Sequence, residues 1–270
     1  MVLEFTKMNG AGNDFVLIDN RTQTIQLSRA QIASLCDRHR GIGADGLILL
    51  KPSLSRDADW AWDFYNSDGS TGEMCGNGAR CFARFVQART GQSADFKFQT
   101  EAGIISAQFE GERVRVSLTP PANLSLDEKL ALSDGKLTVH SLNTGVPHAV
   151  LFVPNADQAM VQQLGPEIRW HSRFAPKGTN VNFVQVLEAG HIRVRTFERG
   201  VEGETLACGT GVTASALIAS RVHHFGSPVK VQVQGGDQLE VSFNQTGGAF
   251  SDVQLSGGAE FVFEGKISLL

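Results

Sequence analysis

One local pattern occurs twice in the chain, and that repetition constrains the fold more than any other feature. Residues 73–81 read "EMCGNGARC" and residues 207–213 read "ACGTGVT". In each, a cysteine (Cys75, Cys208) is followed at once by Gly-x-Gly and then by a helix-like run. A phenylalanine stands eleven residues upstream in both, Phe64 before Cys75 and Phe197 before Cys208. Between phenylalanine and cysteine, a strand-like segment breaks into a polar, glycine-bearing loop, "FYNSDGSTGE" in one copy and "FERGVEGE" in the other. The pattern reads as a diverged duplication with one copy per domain. A chain of 270 residues has the length for two such domains.

Most of the remaining signal is strand. "RVRVSL" (113–118), "IRVRTF" (192–197) and "VKVQV" (229–233) alternate polar and apolar residues, as strands with one wet face do. Short glycine turns such as "FEGERV" and "EAGHI" join strand pairs. Helices are few. Ser28 reads as the N-cap of a helix through His39, and Asn155 as the cap of one running towards Leu164. A third is expected from about Ala79 to a stop at Gly91. A fourth is expected from about Val212 to Phe225, with small apolar residues nearly all round, so protein should enclose it. The best linker lies around Pro120 and Pro121.

Helix starts give the two cysteines a chemistry. A helix N-terminus carries unpaired N–H groups and a partial positive charge. A thiol there is tuned towards the thiolate, and the same N–H groups grip a carboxylate or phosphate. Glycines let the backbone approach that ligand closely. Two such loops facing each other across a cleft suit the transfer of a proton from one face of a carbon to the other. One thiolate removes the α-proton of an amino acid, the opposite thiol returns one, and the helix N-termini stabilise the carboxylate as the carbanion develops. That chemistry calls for no pyridoxal phosphate and no metal. A single cysteine beside a glycine is most often a small core residue. Two matched ones at helix starts are not explained that way, whereas Cys36 and Cys81, inside helical runs, are.

Other classes are set aside. Residues 41–46, "GIGADG", match G-x-G-x-x-G, but a polar "CDRHR" precedes them and a strand-like "LILLK" follows. A dinucleotide site needs the reverse order, so a turn from helix to strand is expected. The 24 basic and 28 acidic residues form no long run, which gives no footprint for nucleic acid or an anionic membrane. No apolar stretch reaches the roughly 18–20 residues of a membrane span. "MVLEFTKMNG" does not read as a secretory signal. The four cysteines lack CxxC spacing and read as thiols of a reducing cytosol.

"MNGAGNDFVLID", "HRGIGADGLI", "FYNSDGSTGEMCGNGARC", "NTGVPHAV", "KGTNVNFVQV" and "TFERGVEGETLACGTG" follow one another in this order across nearly the whole length. With these motifs the chain resembles the diaminopimelate epimerases. It implies an α+β fold of two pseudo-symmetric domains, each a mostly antiparallel sheet or barrel around a central helix, with the active site between them. The domains are expected at 1–119, completed by about 260–270, and at 120–259. It also implies a cytoplasmic, cofactor-independent isomerase interconverting LL- and meso-2,6-diaminopimelate for lysine and peptidoglycan precursors. A homodimer is expected, with no nucleic-acid or membrane partner. By motif, Cys75 and Cys208 resemble the two acid/base residues, the first acting as base on the LL isomer. Gly76, Asn77, Gly209 and Thr210 match the loops that hold the reacting carboxylate. Asn13, Asn66, Asn180, Glu198 and Arg199 match substrate contacts, and His148 and Glu198 match residues placed near the thiols.

Two positions depart from the family's form. Val146 in "GVPH" stands where an asparagine is common, and Gly46 in "GADG" where a glutamine is. A lost side-chain amide removes a hydrogen bond worth about 0.5–1.5 kcal/mol. Three readings stay open beside the epimerase: another two-cysteine racemase acting on proline or hydroxyproline, a phenazine-synthesis-like isomerase of related fold, and a non-enzymatic amino-acid binder.

Overall fold

Alternating burial builds the strands. Phe96, Phe98 and Thr100 face inward while Lys97 and Gln99 face out, and Val114 and Val116 lie buried between Arg113, Arg115 and Ser117. The computed structural model describes residues 1–72 and 74–269, and the chain divides into two units. The first comprises Met1–Ser117 with the segment from 257 onward, and the second Leu118–Ser256. Leu118–Pro121 lie outside any strand, so the expected linker is only four residues long.

In the first unit, strand Glu260–Ser268 pairs with Val2–Gly10, which pairs with Asn13–Asp19, both antiparallel. Asn13–Asp19 runs parallel to Gly46–Pro52, and Gly46–Pro52 antiparallel to Trp60–Asn66. Trp60–Asn66 is parallel to Phe96–Thr100. Gly103–Glu110 and Arg113–Ser117 complete the series antiparallel. The second unit repeats this succession. Ala122–Leu132, Gly135–Asn143 and Pro147–Phe152 pair antiparallel in turn. Pro147–Phe152 is parallel to Asn180–Glu188, which is antiparallel to His191–Glu198. His191–Glu198 is parallel to Val229–Val233, and Gln238–Thr246 and Ala249–Gly258 follow antiparallel. Both units therefore have the mostly antiparallel, pseudo-symmetric build expected. The first strand of the series comes from the C-terminal segment in one unit and from just after the linker in the other.

Each parallel step needs a crossover, and a helix supplies it. In the first unit these are α1 (Arg29–Cys36) and α2 (Gly76–Thr90), and in the second α3 (Val161–Arg169) and α4 (Gly209–His223). The helices α2 and α4 are the central ones. Ten of the fifteen residues of α2 and eleven of the fifteen of α4 are buried. Phe82 of α2 packs on Trp62 and Phe98, with ring centroids 5.6 and 4.8 Å away. Around α4 small side chains let strands close in, and its buried hydroxyls bond backwards: Thr213 Oγ1 to Gly209 O (2.9 Å) and Ser215 Oγ to Gly211 O (2.7 Å). Among the described residues no helix is long and apolar enough to cross a membrane.

Helix ends differ from expectation for local reasons. Both central helices begin three residues early, at Gly76 and Gly209, because the cysteine before each adopts an extended N-cap conformation. The low helix propensity of glycine hides that start in the sequence. Gly91 caps α2 in the left-handed region as expected (φ 73°), but α4 stops at His223, with His224 left-handed. Ser28 caps α1 in a reciprocal capping box with Gln31. Yet α1 ends at Cys36, since the Asp37 carboxylate takes the amides of His39 and Arg40 into a turn. Asn155 caps no helix. Its Oδ1 accepts from the Asp157 amide, and α3 starts at Val161.

Candidate active site

Cys75 and Cys208 are the N-caps of the two central helices. Each carbonyl accepts the first intrahelical bond at 2.8 Å, Cys75 O from Ala79 N and Cys208 O from Val212 N. The amides of Gly76, Asn77 and Gly78, and of Gly209, Thr210 and Gly211, are then the first-turn donors with no intrahelical carbonyl. Cys75 Sγ accepts from Gly78 N at 3.5 Å, while Cys208 Sγ lies 3.5 Å from Thr210 Oγ1. Cys75 is half-buried and Cys208 buried. The remaining thiols are core: burial pushes Cys36 up to about 11 and Cys81 up to about 12, so neither is a nucleophile near neutral pH.

In the first unit a chain of amides braces the turn after Cys75. Asn77 Nδ2 donates to Asn13 Oδ1 (2.6 Å), and Asn13 Nδ2 to Asp45 Oδ2 (3.0 Å). Beneath them Arg80, fully buried, donates to Asn77 Oδ1 (2.9 Å), Gly76 O (3.2 Å) and Gly258 O (3.2 Å). Asn13 and Asn77 are thereby brought together, with Asp45 and Arg80 as supports that sequence reasoning passed over. Gly10 lets its strand approach this turn, since a Cβ there would lie 2.9 Å from Asn77 O. Asn66 sits apart from that network. It ends its strand, exposed, with Nδ2 on Ser70 Oγ at 3.0 Å.

In the second unit Thr144 Oγ1 donates to Thr210 O (2.9 Å), holding the turn after Cys208. Asn180 Nδ2 donates to Pro147 O (3.2 Å), and Asn180 Oδ1 accepts the Arg199 amide (2.8 Å), so Asn180 fixes the backbone where Arg199 leaves its strand. Glu198 is the last residue of that strand, half-buried. Glu202 pairs with Arg169 at 2.9 Å, and the Arg199 charge adds to the lowering of its carboxyl. His148 is buried, and burial, with the Arg199 charge adding to it, pushes its imidazole down to about 3. It is therefore neutral near pH 7. Its ring packs against the first turn of α4 together with Asn182, a residue that sequence reasoning passed over.

The two departures from the family form now have surroundings. A Cβ on Gly46 would meet Tyr65 O at 2.7 Å and Phe64 Cε2 at 2.8 Å, so a glutamine does not fit this backbone unshifted. Val146 offers its carbonyl to the Thr144 amide (3.1 Å) in a turn. Gly211 is tighter: a Cβ there would lie 2.3 Å from Asn182 Oδ1 and 3.3 Å from His148 Cε1. We expect Gly211→Ala to destabilise the protein by about 1–3 kcal/mol through overpacking, read as an earlier urea midpoint. An unchanged midpoint contradicts the packing described. No group of three His, Cys, Asp or Glu side chains among the described residues is arranged to hold a metal ion.

Comparison with known proteins places this architecture. The sequence profile of the diaminopimelate epimerases matches residues 5–124 and 140–262. A diaminopimelate epimerase of Aquifex aeolicus is 43% identical over 278 residues, covering 98% of each chain. Among solved structures, a phenazine biosynthesis protein of the PhzF family from Bacillus anthracis is similar at a TM-score of 0.78 and 14% identity, covering 100% of both chains. A probable proline racemase from Agrobacterium radiobacter is similar at a TM-score of 0.74 and 16% identity, covering 99% of this chain and 93% of that one. At these identities the two structures show a shared fold and nothing more, whereas the profile and the Aquifex relative span nearly the whole sequence: the chain belongs to the diaminopimelate epimerase family.

Proposed function

We infer that this chain is an isomerase interconverting LL- and meso-2,6-diaminopimelate in lysine biosynthesis, with a further outlet in peptidoglycan precursors. Family membership supports the substrate. The observation that carries the mechanism is the matched pair of cysteine N-caps, Cys75 and Cys208. Inversion at carbon needs a base on one face and an acid on the other. On the LL isomer the Cys75 thiolate takes the α-proton and becomes a thiol. The Cys208 thiol gives its proton to the opposite face and becomes a thiolate. The reverse reaction swaps the roles, and solvent exchange resets the pair after each turnover. The α-carboxylate gains charge as the C–H bond breaks. First-turn amides at Gly76 and Asn77, and at Gly209 and Thr210, are donors suited to that charge, and helix dipoles act in the same sense. Asn13, Asn66, Asn180, Glu198 and Arg199 hold the rest of the substrate, and neutral His148 lies beside the second helix start. The mechanism invokes no pyridoxal phosphate.

Incubation with LL-diaminopimelate in deuterated water tests this reading. Meso product with one deuterium at the inverted α-carbon is expected. Preferential racemisation of proline, or binding with no deuterium incorporated, overturns it.

The reading is completed by a cytoplasmic homodimer with no nucleic-acid or membrane partner. Support for the dimer lies on strand Glu260–Ser268, where Phe261, Val262 and Phe263 are 45%, 55% and 48% exposed in succession. Val262→Glu should shift the protein from dimer to monomer in sedimentation. A variant that stays dimeric rules this face out.

A further inference from the structure

The buried amide of Asn182 admits one orientation. Ala149 O, which can only accept, lies 3.0 Å from Asn182 Nδ2, and Thr196 Oγ1 donates to Asn182 Oδ1 at 2.9 Å. Asn182 Nδ2 has two hydrogens. One serves Ala149 O, and the other points at His148 Nδ1, 3.2 Å away. His148 Nδ1 must therefore accept. A neutral imidazole that accepts at Nδ1 carries its proton on Nε2. That Nε2 is buried and has no hydrogen-bond partner among the described residues. A buried donor left alone is costly in a resting protein, and a ligand that brings an acceptor removes the cost. The ring sits by the first turn of α4, since a Cβ on Gly211 would touch its Cε1 at 3.3 Å.

We propose that Asn182 is a positioning residue, locking His148 as the Nε2–H tautomer so that this N–H is presented to an acceptor of the bound substrate. Its link to turnover rests on the epimerase reading above, while the tautomer stands apart from it. Adjacent strands make the lock: Asn182 pairs with Thr196 on one side and with Val150, two residues beyond His148, on the other. A doubly protonated ring would turn Nδ1–H against the amide hydrogens, so the lock also keeps the imidazole uncharged.

Long-range 15N–1H correlation of the imidazoles, with His148 assigned by its loss in His148→Gln, reads the tautomer directly. In the wild-type protein Nδ1 should resonate as the unprotonated nitrogen and Nε2 as the protonated one. Asn182→Leu keeps the volume and removes the donor. It should release the tautomer and lower kcat on LL-diaminopimelate roughly tenfold or more with little change in KM. Asn182→Asp should move the proton to Nδ1, since a carboxylate accepts where the amide donates. Protonated Nδ1 in the wild type, or an unchanged tautomer and kcat in folded Asn182→Leu, overturns the proposal. A wild-type protein with the expected tautomer but no action on diaminopimelate leaves the lock standing and overturns the proposed substrate instead.

Discussion

Cys75→Ala and Cys208→Ala are each expected to cut epimerisation of LL-diaminopimelate by about 10²–10⁴-fold, the usual contribution of a positioned acid or base. The fold should survive both changes. Cys75 is half-buried, and the cap bond its Sγ accepts from Gly78 N, at 3.5 Å, is a weak one. Cys208 is a small buried side chain whose loss removes one sulfur atom next to Thr210. The two variants should nevertheless differ in isotope behaviour. With Cys208 gone, the Cys75 thiolate still faces one side of the α-carbon. It can remove the proton of the LL isomer and return a solvent-derived one to the same face. Exchange without inversion is then expected from Cys208→Ala on the LL isomer, and from Cys75→Ala on the opposite configuration. Near-wild-type inversion in either folded variant sinks the two-base assignment.

How much of this was legible in the sequence depended on the range of the interaction. Alternation in "VKVQV" marked a strand because each residue reports its own face. The cysteine loops marked two oncoming helices because cysteine, glycines and hydrophobic run are contiguous, but the glycines hid the first three residues of each. The succession of parallel and antiparallel pairs was not legible, because Trp60–Asn66 and Phe96–Thr100 meet only after a helix has intervened. Nor was the support beneath the site. Arg80 was passed over, because the groups that converge on it in the interior, Gly76 O, Asn77 and Gly258 O, include one far away in the chain. Asn182 reads as a polar residue in an apolar strand, and only the backbone carbonyl of Ala149 fixes which way its amide faces. Gly46 stood out as a missing amide. Its physical reason, the nearness of Tyr65 O, belongs to the neighbouring strand.

Substrate choice should fall on Arg199 far more than on Val146. The Arg199 backbone is held by Asn180 Oδ1, and its charge reaches Glu202, whose carboxyl it helps to lower, and His148, whose imidazole it helps to depress. On the proposed reading this cation, close enough to His148 to depress its imidazole, meets an anionic group of the ligand, and the distal carboxylate of diaminopimelate is one. Arg199→Ala should therefore lower kcat/KM by the worth of a hydrogen bond to a charged group, about 1.5–3 kcal/mol, or roughly 10- to 150-fold. Arg199→Lys should recover only part of this, since an ammonium cannot make the forked, two-point contact. Loss of the Arg199 charge should not ionise His148, because burial is the larger cause of its depressed pKa. Val146 presents no side-chain donor or acceptor, so Val146→Ala should stay within about threefold, the scale of a neutral contact change. The comparison is made on LL-diaminopimelate with proline in parallel, and proline, which lacks a distal amino-acid group, should gain nothing from Arg199. Unchanged diaminopimelate kinetics in Arg199→Ala, or proline as the better substrate, overturns the substrate assignment and leaves the two-thiol chemistry to be judged by the cysteine variants alone.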